Sequence, residues 1–414
     1  MSHSDLLSEV QALQFTNKRA AEQLLVPFIR ETFGLPVRDV LLRPLAVSLN
    51  SFNGYLTLDD HEQLFFKTHI EADNVIDEYY NAELLSGVGY PVLQPLYASQ
   101  ESGRQFLIYP VINCPSVFDA AWDIEIGKAA FDVSLQAAQN RTDDALLQIY
   151  EKTLHEQTPA QASSAPIHQL FYHRLTGGRL ARFYGEESVI RWAGEAISLE
   201  EVRKAHWVVN GRTYNDSLDD LIERAIRLLH PGQGGPAVVG HGDAHNGNLF
   251  YCPAEPLLTY FDPAFAGTHH PLLDLVKPIF HNVFAMWMYF PSVIDKNLHL
   301  EMKRHGNTWI VAHDYTPHPI RDMFLESKVK RVLTPLLKLL HERGALRKDW
   351  RPYLKSALMC CPFLTMNLAD ANRFSERIAL LGLAWTIEAG SSPVVGSMNR
   401  IDLTLEQAFT DAMR

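Results

Sequence analysis

Asp243, Asn248 and Asp262 are oxygen-bearing side chains that one short stretch of sequence delivers to a common place. The run from Val238 to Val276, VVGHGDAHNGNLFYCPAEPLLTYFDPAFAGTHHPLLDLV, reads as an apolar strand and then a polar loop carrying His241, Asp243, His245 and Asn248. A second apolar strand ends at Asp262, and Asp274 opens an apolar helix. Polar groups on a tight loop between strands converge on a ligand while the apolar flanks anchor the backbone in a core. A carboxylate at Asp243 can accept the proton of a hydroxyl. Asn248 and Asp262 can supply oxygen ligands to Mg²⁺, a hard cation that takes a few carboxylate or carbonyl oxygens together with phosphate oxygens. A base beside such a clamp is what phosphoryl transfer requires, since positioning and charge neutralisation supply most of its catalysis.

Other chemistries fit less of the pattern. His241 and His245 stand four apart, which on a helix is metal-ligand spacing, and with His269 and His270 a zinc site is conceivable. Gly242 and the Asn-Gly-Asn run disfavour a helix there. A purely structural polar turn with capping residues leaves Asp262 and Asp274 unexplained.

HGDAHNGN resembles the catalytic loop of the aminoglycoside phosphotransferase and choline kinase superfamily, the small-molecule branch of the protein-kinase-like fold. FDPAFAG resembles its metal-binding aspartate segment, and LLDLV its later structural aspartate. The resemblance covers roughly residues 40 to 280 in order, and the flanking helices match only in character. It implies ATP and Mg²⁺ as cofactors and the hydroxyl of a small molecule as acceptor, of aminoglycoside, choline, sugar or amino-alcohol type. Asp243 is then the base, Asn248 and Asp262 the Mg²⁺ ligands, and Asp274 a buried acceptor bracing the loop. His241 and His245 support these residues. Pro263 departs from the family pattern, in which an aromatic residue often follows the aspartate. A protein-kinase identity fits less well, because the chain reaches Asp274 without a long activation segment. A non-catalytic nucleotide-binding protein on the same fold is the alternative, although neither the base nor a metal ligand is missing.

The elements that must position these groups begin with a helix over Thr16 to Phe33, with Pro27 inside it and Gly34 as its stop. Strands follow in VRDVLLRPLAV, GYLTL and EQLFFKTHI. The loop before the second carries Ser51, Phe52, Asn53 and Gly54, which is equally an ordinary hairpin turn or a cover over nucleotide phosphates. Lys67 lies among apolar residues of the third strand, so it needs solvent or a partner. By resemblance it holds the α and β phosphates, braced by Glu78 of the next helix, with Glu83 as the fallback. Ala82 and Leu85 then fall on the packing face. Leu107 to Ile112 reads as a hinge strand whose backbone at Tyr109, Val111 and Ile112 is offered to the adenine edge; the same residues suit a core.

Beyond Ser116 the pattern is helical, with a Pro/Ala/Ser-rich loop, HEQTPAQASSAPIHQ, taken as a surface insertion. IHQLFYHRLTGGRLARFYG gathers His168, His173, Arg174, Arg179 and Arg182 as a solvated basic face or a substrate-pocket helix. PIFHNVFAMWMYFPSVI reads as a buried helix, and the remaining chain as almost wholly helical with Pro335 breaking one long helix. Asp370, Asn372, Arg373 and Glu388 are within reach of a substrate on this pattern.

The whole is an α+β, two-lobe kinase-like fold, with a small antiparallel β-sheet lobe over residues 1–111 and a mainly helical lobe over 112–414. At 414 residues the chain can bury a large core. Its net charge of -11 argues against nucleic acid as a partner and is compatible with a cationic substrate. Cys114, Cys252, Cys360 and Cys361 show neither metal spacing nor a disulfide framework, so a reduced, cytoplasmic setting is expected. No secretory signal or membrane span is evident. Oligomeric state is open.

Overall fold

The computed structural model describes residues 3–43, 52–68, 78–99, 101 and 104–414, with the side chains of 3–5 and 78–80 outside that description. Helix α1 (His3–Leu13) precedes α2 (Lys18–Phe33), whose first turn is capped by the Asn17 side chain and whose end is Gly34 at φ +67°. Ala21, Leu25, Phe28 and Ile29 form the buried stripe of α2, so Pro27 is carried inside a helix held by its packing.

That stripe covers a five-stranded sheet. Its strands are β1 (Val37–Leu42), β2 (Asn53–Leu58), β3 (Gln63–Thr68), β4 (Tyr97–Ser99) and β5 (Phe106–Pro110), in spatial order β1-β2-β3-β5-β4. Every pairing is antiparallel, and β2 and β3 alternate between buried and more exposed residues, the pattern of a sheet with one face on a core, while β1 follows it beyond a register shift at Val37–Asp39. Gly54 has no substitute in this packing, because a Cβ there would sit 2.2 Å from the Leu41 carbonyl oxygen. Helix α3 (Glu78–Val88) bridges β3 and β4 in the chain and turns the expected Ala82 and Leu85 inward. One apolar cluster runs from Leu7 to Ile108, and a larger one from Leu85 to Ala412, so α3 belongs by packing to the larger core.

Helices α4 (Val117–Glu125) and α5 (Val133–Thr153) open the larger lobe. The long helix expected around Pro335 is continuous but irregular: Pro319–Lys328 passes through a π-helical turn at Val329–Leu333 into Thr334–Glu342. The widened turn accommodates a proline that cannot donate its backbone hydrogen bond.

Several expectations are corrected. The stretch read as one buried helix is three short ones, Val276–Val283, Met286–Tyr289 and Pro291–Asn297, the first two buried. The Pro/Ala/Ser-rich loop is built into the fold: His155–Gln157 is a strand paired with Gly235–Gly240, and Thr158 caps a helix at Pro159–Ser163. The later chain is not almost wholly helical. A hairpin of Leu300–His305 and Thr308–His313, turned at Gly306, joins His206–Val209 and Arg212–Tyr214 in a four-stranded sheet. Its alternating residues and the packing of buried Trp207 on Trp309, ring centroids 5.1 Å apart, are the strand signal in HLEMKRHGNTWIVAH.

The cysteines also depart from expectation. Cys114 and Cys252 form a disulfide, and Cys360 and Cys361 are free and buried. The pair is separated by 138 residues in sequence, and the fold joins them through a bridge between Ser116 and Phe250 and a hydrogen bond of 3.0 Å from the Tyr251 N–H to the Pro115 carbonyl. The reason for expecting a reduced setting is therefore withdrawn. Among the described residues no helix is long and apolar enough to cross a membrane.

Candidate active site

The strand Gly235–Gly240 is apolar and buried, paired on one side with His155–Gln157 and on the other with Gly267–His269. It ends where the polar loop begins. Gly242 takes φ +81°, and a Cβ there would lie 2.3 Å from the Phe265 carbonyl oxygen, so only glycine turns the chain at this point. The turn is held from outside: the Gly242 N–H donates to Asp274 Oδ1, which His269 Nε2 also approaches at 3.1 Å, while Tyr150 Oη donates to Asp274 Oδ2. Burial by itself would raise the Asp274 carboxyl, and these hydrogen bonds outweigh it, holding the group at about 2.

His241 is fully buried and bonded at both ring nitrogens. Nε2 lies 3.0 Å from the Phe261 carbonyl oxygen, which makes it the protonated nitrogen, and Nδ1 accepts from the Asp243 N–H at 3.4 Å. Burial lowers its pKa and keeps the imidazole neutral. His245 caps the short 3₁₀ turn Asn246–Asn248 by accepting from the Gly247 N–H at 3.1 Å, and the Asn246 N–H is tied to Asn282 Oδ1 at 2.7 Å. His269 Nε2 faces Asp274 and His270 Nδ1 accepts from the Leu272 N–H, each ring leaving its other nitrogen buried without a hydrogen-bond partner. Among the described residues no group of three or more His, Cys, Asp or Glu could hold a metal ion.

Asn248 donates from Nδ2 to the Asp243 carbonyl at 2.9 Å, and its own carbonyl accepts the Phe261 N–H at 2.9 Å. The second hydrogen bond places Asn248 one residue away from Asp262 across the pair Leu249–Phe250 and Thr259–Tyr260. Asp262 adopts φ +56°, a left-handed conformation that costs a non-glycine residue roughly 1–2 kcal/mol. Its carboxylate receives the Lys67 ammonium from β3, with the lysine side chain 12% exposed.

Asp243 is half-buried, its side chain 16% exposed. Its Oδ1 is buried without a hydrogen-bond partner, and Lys277 Nζ stands 3.6 Å away. Burial would raise its pKa, yet the Lys277 ammonium, with the Arg174 guanidinium, brings the carboxyl below its ordinary value. It therefore remains ionised at neutral pH and able to accept a proton.

The other expected residues separate into groups. Asn53 faces Lys67 in the β2–β3 register, and its carbonyl accepts the Arg43 N–H. Ser51 lies outside the described residues, as does the Glu78 side chain; Glu83 is exposed. Val111 and Ile112 line a cavity of ≈190 Å³ with Tyr55, Phe65, Phe250 and Phe261. Tyr109 is buried and packs its ring 5.3 Å from Phe261 behind that cavity. Glu388 is buried against Arg212 and Tyr214, and burial raises it to about 7.

Lys277, His281 and Tyr289 escape the sequence reading. Lys277 Nζ is 3.4 Å from His281 Nε2, and His281 Nδ1 is 2.7 Å from Tyr289 Oη. A lone lysine inside the apolar run LVKPIF is the signal that could have found them, since a buried ammonium needs a partner.

No protein-family model and no curated protein matches this sequence. The structure is similar to that of a spectinomycin phosphotransferase solved with ADP and spectinomycin, at 13% identity over 95% of this chain and 99% of that one, with a TM-score of 0.44. It is similar to a thermostable aminoglycoside phosphotransferase mutant solved with AMP-PNP and hygromycin B, at 11% identity over 88% and 98%, TM-score 0.45. An ethanolamine kinase of Plasmodium vivax is matched at 9% identity over 99% and 94%, TM-score 0.43. The described residues themselves show an α+β arrangement, a five-stranded antiparallel sheet near the start of the chain followed by a mainly helical remainder.

Proposed function

We propose that this protein is an ATP- and Mg²⁺-dependent phosphotransferase that moves the γ-phosphate to a hydroxyl of a small molecule. The observation that carries this reading is the contact between Lys67 of β3 and Asp262 of the helical lobe, beside a loop in which Asp243 keeps one oxygen without a hydrogen-bond partner. A cation for phosphates, a carboxylate for a metal and a half-buried base then stand in one cleft.

The donor set fits a hard divalent ion. Asp262 offers carboxylate oxygen, and Asn248, its amide nitrogen engaged by the Asp243 carbonyl, offers the amide oxygen. Mg²⁺ held there would neutralise charge on the transferring phosphoryl group. Asp243 aligns the acceptor hydroxyl and takes its proton, Lys277 keeps that carboxylate ionised, and Asp274 holds the Gly242 turn that aims it. Lys67 would hold the triphosphate, and the cavity lined by Val111 and Phe261 would take its base.

The test is the thermal unfolding midpoint with and without Mg²⁺-ATP, for the natural protein and for Asp262→Ala. Nucleotide at a hundred times its dissociation constant adds about 2.7 kcal/mol, a shift of several degrees. A metal-dependent shift lost in the variant is expected. No shift at saturating nucleotide would sink the proposal.

A further inference from the structure

The net charge of the chain is -11, yet the surroundings of the proposed base have the opposite sign. Lys277, 3% exposed, stands beside Asp243. Arg174 projects from the short helix Tyr172–Thr176, and its Nε and Nη1 are buried with no hydrogen-bond partner. Arg373 Nε is in the same condition. The charge of Arg174 acts on Asp243, Lys277, Tyr289 and Cys361, and that of Arg373 on Tyr289, so both guanidinium groups border the same cluster.

The neighbouring groups do not balance this charge. Burial raises the Cys361 thiol to about 11 and lifts Cys360 and the Tyr289 phenol further, so all three are neutral at physiological pH. Burial also lowers His245 and His281, leaving them uncharged. Two cations, Lys277 and Arg174, therefore act on one carboxylate, Asp243, and a third, Arg373, borders the same cluster at Tyr289. An unpaired guanidinium N–H away from water is costly, and the planar fork of arginine matches a carboxylate or phosphate in two parallel hydrogen bonds.

We propose that the acceptor is an anionic hydroxyl compound, carrying a carboxylate or phosphate group that binds the guanidinium groups of Arg174 and Arg373 while its hydroxyl meets Asp243. This rests on the phosphotransferase reading above and narrows it. The nucleotide side of the cleft is marked by Lys67 and Asp262, whereas Arg174 and Arg373 come from the helical side, where Tyr289 and Cys361 lie. The acidic surface of the protein as a whole does not choose the acceptor; the local field at the base does.

The experiment holds the full-length protein with Mg²⁺-ADP, which has no γ-phosphate to give, and records thermal unfolding with millimolar glycerate, glycerol 3-phosphate, glycerol, ethanolamine or choline. Glycerate or glycerol 3-phosphate should raise the midpoint by several degrees and the neutral and cationic compounds should not. Arg174→Gln should abolish that shift, Arg174→Lys should keep part of it, and the separate Mg²⁺-ATP shift should persist in both. In turnover with the stabilising anion, the acceptor KM of Arg174→Gln should rise about tenfold or more with the ATP KM unchanged. Equal stabilisation by glycerol or the cations, or none by either anion, overturns the proposal. So does loss of the ATP shift in Arg174→Gln and Arg174→Lys alike, which would assign Arg174 to the nucleotide phosphates. Absence of any Mg²⁺-ATP shift in the natural protein, read with no acceptor added, removes the phosphotransferase reading and this one with it.

Discussion

Lys67 and Asp262 are 195 residues apart in the chain and joined by a hydrogen-bonded ion pair. The contact crosses from the antiparallel sheet to the helical lobe, and the lysine side of it is largely removed from solvent. A partner for the lysine of β3 is therefore supplied by the segment proposed to hold the metal.

Lys67→Ala is expected to raise the ATP KM by about tenfold or more while leaving the acceptor KM within a factor of about two. Steady-state kinetics with each substrate varied in turn checks it. Equal change in both constants would assign Lys67 to the general packing of the cleft.

Asp243→Asn should lower kcat by roughly 10²–10⁴ with little change in the midpoint shift produced by Mg²⁺-ATP. It also leaves the Lys277 ammonium buried without its anion, so the variant should be less stable than the natural protein. Lys277→Met in the same background should recover part of that loss, with a coupling of about 1–3 kcal/mol in a double-mutant cycle. Additive single effects in urea unfolding would show that the two charges do not interact.

The acid limb of the stability curve should carry Asp274. Its folded-state pKa, about 2, lies below the ordinary carboxylate value, so it favours the folded chain above about pH 4 and that contribution is lost as pH falls from about 4 towards 2. The contribution is about 2 kcal/mol. Asp274→Asn should be destabilised at pH 7 and should show a flatter decline over that window. Parallel declines in the two proteins would refute the assignment.

Removing the Cys114–Cys252 bond by Cys114→Ser should cost about 2–4 kcal/mol and lower the unfolding midpoint by several degrees. Reductant should bring the natural protein to the same midpoint and leave the variant unmoved. A natural protein indifferent to reductant would mean that the bond adds nothing to stability.

Local pattern determined much of this molecule. The Gly34 stop of α2, the strands of GYLTL and of Lys67, and the order strand, polar loop, strand, Asp262 are legible from residue types and spacing, whereas Asn53, read as part of the loop, lies in β2. Such features depend on neighbours a few positions apart, and one sequence carries that information directly. The hairpin turned at Gly306 is marked by the alternation of its two strands, although the segments around it carry a helical pattern.

Tertiary structure alone decided which distant groups meet. Nothing in the sequence pairs Cys114 with Cys252, sets Tyr150 against Asp274, or brings Lys277 to Asp243 with Arg174 bordering the same cluster. Those meetings depend on how buried faces close over one another, a global balance of packing that no local window contains. The charge of the cleft follows the same rule: composition makes the chain acidic, and only burial of particular cations around one carboxylate makes its centre basic.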